Sequence, residues 1–200
     1  MKAKELNLSI EDNLNSVNPR IGGNSFIPSN IEWPKNKDGN NLTLIASIPC
    51  EFFKEYVNLD FHDSSFISVF STYDENDYFL DLITYHGDDE EMENINSGFT
   101  KVLIHEKGSP RNESNCIIPS KIIMPKDDIN DDIEYTGSKI GGNAGILQKE
   151  NLKLVDNYVF AFQLYGADFP EGFEGIFELS DAVGYLYLNS DDGKFFVQAT

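Results

Sequence analysis

The sequence predicts an α+β fold, strand-rich, in which a tandem duplicated unit forms one compact pseudo-two-fold domain. Three observations predict it. Apolar and aromatic runs of four to seven residues are bounded by Gly, Asn, Asp and Pro clusters, the punctuation of strands. A basic-Ile-Gly-Gly-Asn string occurs twice, as Arg20-Ile21-Gly22-Gly23-Asn24 and as Lys139-Ile140-Gly141-Gly142-Asn143, with similar apolar runs after each copy. Hydrophobic residues make up 40% of 200 residues, enough for one real core and too many for a disordered acidic chain.

One domain is expected over 1–200, with unit one at about 20–100, a linker at about 105–136 and unit two at about 139–198. In the first unit the apolar run 42–48 reads as a strand, answered by 158–164 in the second. Residues 49–57 are the best helix, with Pro49 at the start and Phe52, Phe53 and Tyr56 at helical spacing. The corresponding 166–173 contains Pro170 and two glycines, so one turn or a loop is expected there. The strand 66–70, leading through Asp74 and Asp77 into Tyr78-Phe79-Leu80, matches 185–188 leading through Asp191-Asp192-Gly193 into 195–197. In the second copy Asp-Gly signals a hairpin, because it supplies the positive φ that tight turns require. Residues 31–41 and 109–118 read as loops. Residues 126–136, with Asp127, Asp128, Asp131, Asp132 and Glu134, read as a solvated linker.

Charge narrows the function. Asp plus Glu number 34 against 15 Lys plus Arg, a net charge of −19. A nucleic-acid phosphate backbone or an anionic membrane surface demands clustered cations, so both are excluded as partners. The basic Lys2 and Lys4 are followed by Glu5, Glu11 and Asp12 with no apolar core between them, so no secretion signal is read. Apolar runs are far shorter than the roughly 20 residues of a membrane span, and a cytoplasmic protein is expected. Cys50 and Cys116 have no partner at metal or redox spacing; reduced thiols are expected, with a single disulfide as the alternative.

Arg20-Ile21-Gly22-Gly23, then Pro28, Glu32-Trp33-Pro34, Gly39 and the run 42–46 resemble the opening of the YwqG-like family of bacterial proteins. Lys139 to Gly142, Gln148 and Gln163-Leu164 are similar to that family's second motif. Ser47 departs from it, standing where a Gln is usual, and the sequence stops at Thr200, before the segment with which many members close. The resemblance implies an α+β fold with a duplicated unit. It also implies a role like that of members that look like immunity proteins of secreted toxins.

No catalytic, cofactor or metal constellation is read. The Gly pairs Gly22-Gly23 and Gly141-Gly142 lack the Gly-Lys-Ser/Thr or three-glycine pattern of phosphate loops, and are assigned to backbone geometry. Arg20 and Lys139 ahead of them are expected to pair with carboxylates. His62, His86 and His105 have no metal-ligand spacing, and Ser64 or Ser65 with His86 lacks a nucleophile elbow. Neither Gly193 nor Asp88-Asp89-Glu90-Glu91 fits a calcium loop. The informative feature is the absence of Lys and Arg between Lys54 and Lys101, and again between Lys153 and Lys194, amid many acids that include Asp63 and Asp156. Asp74, Glu75, Asp77, Asp88, Asp89, Glu90, Glu91 and Glu93 are therefore expected to meet a basic toxin domain, with Tyr73, Tyr78 and Tyr85 as anchors. The alternatives are a small-ligand module with a cleft between the repeats lined by Trp33, Tyr135 or Gln163, and a non-specific mimic of nucleic-acid charge.

Overall fold

The computed structural model describes residues 3–62, 64–130, 132–148 and 157–200; Lys2, Asp63, Asp131, Lys153 and Asp156 lie outside the described residues. Eleven strands are described: β1 (Ala3–Asn7), β2 (Arg20–Ile21), β3 (Thr43–Pro49), β4 (Ser65–Ser71), β5 (Thr100–Glu106), β6 (Lys121–Ile122), β7 (Met124–Ile129), β8 (Lys139–Ile140), β9 (Val159–Tyr165), β10 (Val183–Leu188) and β11 (Gly193–Gln198). They form two antiparallel sheets, ordered β5-β4-β3-β2-β6 and β11-β10-β9-β8-β1-β7.

The two basic-Ile-Gly-Gly-Asn strings take the same place in their sheets. Arg20 pairs with Ser47 and Ile21 with Ala46; Lys139 pairs with Gln163 and Ile140 with Phe162. Each following strand then runs into a 3₁₀ turn, Cys50–Glu55 after β3 and Gly166–Asp168 after β9. The helix expected over 49–57 is thus a 3₁₀ helix, and its counterpart is the single turn that Pro170 and the glycines imply.

The segments ahead of the two strings cross over. β1 precedes β2 in the chain yet pairs with β8; β6 precedes β8 yet pairs with β2. Between them runs one antiparallel ribbon. Ala3 faces Ile129 and Asn7 faces Met124; Ile122 N–H then donates to Ile10 O at 2.9 Å, and Asp12 N–H to Ser120 O at 2.9 Å. Part of the segment expected as a solvated linker is therefore the edge strand β7. Its composition misled because an edge strand keeps exposed polar side chains, here Lys126, Asp127 and Asp128.

One apolar core spans both sheets, joining Ile45, Ile67 and Val69 of the first to Ala161, Phe162 and Leu164 of the second. Phe53 stacks on Phe162 across it at 6.1 Å. The outer faces are covered as well. Trp33, Leu42, Leu44 and Phe70 form a cluster associated with the first sheet; Tyr85 and Ile95 join Tyr185, Tyr187 and Phe196 of the second. With both faces covered, β4 and β10 are buried at every position, and neither alternates apolar with polar residues.

The sheets differ in their last connection. Leu188 and Gly193 close the β10–β11 hairpin through residues 189–192, where Asn189 Oδ1 accepts the N–H groups of Asp191 (2.9 Å) and Asp192 (2.7 Å). The hairpin is where Asp-Gly signals it, but Gly193 does not have positive φ; a Cβ there would meet Val102 and Leu188. Between β4 and β5, by contrast, residues 72–99 make a long excursion containing α1 (Leu80–Ile83), α2 (Asp89–Asn94) and a π-type turn Ile95–Phe99. Tyr78-Phe79-Leu80 is consequently no strand. Phe79 and Ile83 lie at helical spacing and are buried, and the strand that answers β11 is β5.

Candidate functional site

All eleven residues read as a partner surface lie in the 72–99 excursion. Its loop is built by its own acids. Asp74 Oδ1 accepts the N–H of Asn76 (2.8 Å) and Asp77 (3.2 Å), and these donors hold its pKa below the usual carboxylate value. Asp88 caps α2, accepting from Glu90 N–H at 2.8 Å, while Glu91 returns the capping box. Glu91 also takes His86 N–H at 2.6 Å and lies 3.0 Å from His86 Nδ1. Negative charge at a helix N-terminus is stabilised by the helix dipole, so this acidic run has a structural cause of its own.

Of these residues Asp74, Glu75, Asp77, Asp88, Asp89, Glu90 and Glu93 remain exposed, with Glu91 half-buried. Tyr78 is 60% exposed and donates to Asp81 Oδ1 at 3.0 Å. Tyr73 is half-buried against Phe79 and Phe173. Tyr85 does not join the surface: it is 3% exposed, packed edge-on to Phe196 at 5.4 Å, and its carbonyl accepts from Gln198. As an anchor it is corrected to core, because the excursion folds its apolar face onto β11. One residue that the sequence did not single out for this surface joins it. Glu178 Oε2 accepts Phe79 N–H at 3.2 Å and, with Tyr73, Asp74, Glu75 and Phe79, lines a groove of about 430 Å³.

The paired strings do structural work. Gly22, Gly23, Gly141 and Gly142 all have positive φ, between 60° and 73°, and a Cβ on Gly22 would lie 2.5 Å from Ile118 O. Arg20 and Lys139 are fully buried, and backbone carbonyls accept hydrogen bonds from both. Arg20 Nε donates to Ser16 O at 2.9 Å and its two other nitrogens to Gly22 O and Asn24 O; Lys139 donates to Asp132 O. The Arg20 guanidinium makes no ion pair with a described carboxylate, and burial lowers its pKa to about 10. Short tight turns point their carbonyls inward here, and a cation satisfies several at once.

A serine–histidine contact that the sequence did not single out is buried in the first sheet. His105 Nδ1 lies 2.8 Å from Glu106 O, which leaves Nε2 to accept from Ser68 Oγ at 2.9 Å; Ser68 Oγ is 3.0 Å from Ser25 Oγ. Neighbours on adjacent strands, 37 residues apart in the chain, have no sequence signature. Burial holds the His105 pKa below its ordinary value. The Ser68–His105 hydrogen bond ties β4 to β5 beside their ladder. The cleft residues of the small-ligand alternative are also engaged. Trp33 is buried and donates to Leu42 O at 2.9 Å; fully buried Gln163 donates to Tyr135 O and Gly137 O and accepts from Gly145 N–H. Cys50 and Cys116 are free thiols, Cys50 buried and pushed up to about 12. Among the described residues no group of His, Cys, Asp and Glu could hold a metal ion, and no helix is long and apolar enough to cross a membrane.

The profile of a family described as a domain of unknown function, DUF1963, matches residues 19–121, just over half of the chain. The chain belongs to the DUF1963 family. No curated protein matches it significantly. The DUF1963 segment opens beside Arg20 and closes on Lys121, so it holds the whole first sheet but for Ile122, together with the acidic excursion.

Proposed function

We propose that this DUF1963 protein is an immunity protein, YwqG-like and cytoplasmic, that binds and neutralises a cognate basic toxin domain without chemistry of its own. The observation that supports it is the asymmetry between the sheets. The second sheet makes its last connection with residues 189–192, so residues 72–99 exceed what the sheet requires. That excursion turns apolar side chains inward and keeps exposed the seven carboxylates named above and that of Asp81, with no Lys or Arg among them. Uncompensated charge costs the fold self-repulsion and speeds encounter with a basic partner. Tyr78, on the same segment, supplies an exposed aromatic anchor. We also infer that the two sheets are copies of one unit related by a pseudo-two-fold axis. Their repeated strings, pairing and crossed leading strands support that reading.

The test is association kinetics with the product of the neighbouring gene at low and high salt. The variant carries Asp77→Asn, Asp89→Asn, Glu90→Gln and Glu93→Gln, none of whose side chains makes a hydrogen bond to a described residue. Association should slow about fivefold or more, in the variant and with salt, while dissociation changes little. An unchanged association rate removes this face from the interface. A toxin that kills cells expressing the wild-type protein overturns the immunity reading itself.

A further inference from the structure

Beside the acidic loop a crevice of about 160 Å³ opens, walled by the 36–43 loop, residues 72–74 and residues 114–116. It lies wholly within the DUF1963 segment. Its polar wall carries little charge: Asn36, Asn40, Asn41, Asn115 and Tyr73, with Asp74 as the one carboxylate. Asn36 is only 7% exposed. Its Oδ1 accepts the N–H of Asp38 at 3.1 Å and of Asn40 at 2.9 Å, which fixes the orientation of the amide. Nδ2 is left with no hydrogen bond to any described residue, and Asn36 lines the crevice. Asn41 is the complement: its Nδ2 donates to Glu113 O, leaving Oδ1 to accept. Ser71, the direct β-partner of the crevice residue Thr43, keeps a buried Oγ that also has no partner among the described residues.

We propose that this crevice binds a neutral polyhydroxylated molecule the size of one monosaccharide ring. An amide donor and an amide acceptor left without protein partners beside one crevice suit a ligand that can satisfy both kinds. A hydroxyl donates and accepts. An ammonium ion has donors only and would set one against Asn36 Nδ2. A phosphate or carboxylate meets Asp74 and a net charge of −19. Tyr73 adds an aromatic wall against which the C–H face of a ring packs. The space far exceeds the roughly 10–15 Å³ that one water occupies by this measure. The proposal is independent of the immunity reading and survives its failure.

The experiment is ¹H–¹⁵N NMR of the side-chain amides, titrated to 100 mM with glucose, galactose, mannose, ribose and inositol. Glucuronate and glucosamine serve as charged analogues of the same ring. At least one neutral compound should shift the Asn36 and Asn41 amides saturably, and bind tenfold or more tightly than its charged analogue. Asn36→Asp keeps the acceptor for both turn N–H groups and puts a charged carboxylate oxygen in place of the donor, so binding should weaken at least tenfold with the backbone spectrum intact. Asn115→Ala, at an exposed position, should weaken it about threefold and provides the second variant. No saturable shift across the neutral panel, binding of glucuronate equal to that of glucose, or binding unchanged in both variants would each overturn the proposal.

Discussion

Lys139 faces Gln163 directly across the β8–β9 ladder, and the two side chains divide among them the carbonyls of Asp132, Tyr135 and Gly137. In the first sheet the same pair of positions holds Arg20 and Ser47. There the larger guanidinium alone reaches Ser16 O, Gly22 O and Asn24 O, and Ser47 Oγ is left without a partner among the described residues. At the spacing of the two strings Ser16 O is the counterpart of Tyr135 O, so the forked cation takes in the first sheet a carbonyl that Gln163 takes in the second.

The exchange is testable by a double-mutant cycle in urea. Arg20→Lys should cost about 2 kcal/mol or more, because it strands buried carbonyls. Ser47→Gln alone should destabilise by overpacking. Together, Ser47→Gln should return about 1 kcal/mol of what Arg20→Lys loses. Strict additivity would refute the shared role.

The glycines are ranked by what a Cβ would touch. Gly39, at φ 85° with open space around it, should lose about 1–2 kcal/mol as Ala from backbone strain alone. Gly22→Ala adds clashes at 2.5 Å with Ile118 O and 2.8 Å with Pro119 O, both backbone, so it should cost at least about 1 kcal/mol more. Equal losses in chemical denaturation would remove the close-approach argument.

The doubled glycine string, the strand runs, the β10–β11 hairpin and the inward-facing aromatics are legible because turn chemistry and apolar runs are local. The crossing of β1 and β6 is not, since nothing in Ala3–Asn7 names a partner at Lys139. Likewise Asp88 and Glu91 spell a capping box three residues apart, a signal that charge counting hid. The excursion read as acidic and exposed is both; that Tyr85 lies beneath it depends on β11, far along the chain.

His105 should make stability depend on pH. Its pKa is lowered in the fold from 6.5, so the unfolded chain binds the proton first as pH falls. Its contribution is intact above about pH 6.5 and is lost progressively as pH drops toward the folded value. The difference in unfolding free energy between wild type and His105→Gln should therefore shrink between pH 7.5 and 5. A constant difference would show that His105 titrates as in the unfolded chain.

Salt should stabilise this protein rather than weaken it. With a net charge of −19, repulsion dominates over its few exposed ion pairs such as Lys4–Asp128 at 3.0 Å. Raising sodium chloride from 10 to 300 mM shortens the screening length from about 30 to about 6 Å. The melting temperature should rise by several degrees, and a fall would mean that local pairs outweigh the net charge.

The crossed leading strands also set an order of events during synthesis. Ala3–Asn7 leaves the ribosome ahead of the rest of the described chain, but the strands that flank it, β7 and β8, follow only after the entire first sheet. The first described element is thus seated only after the first sheet's strands are made. Meanwhile β2 waits for Lys121–Ile122 with one side open, and an open strand edge recruits whatever backbone is nearby. A chain halted before Lys139 has covered that edge with Lys121–Ile122 but leaves β1 paired with β7 alone and its β8 side open, even though its DUF1963 segment is already whole.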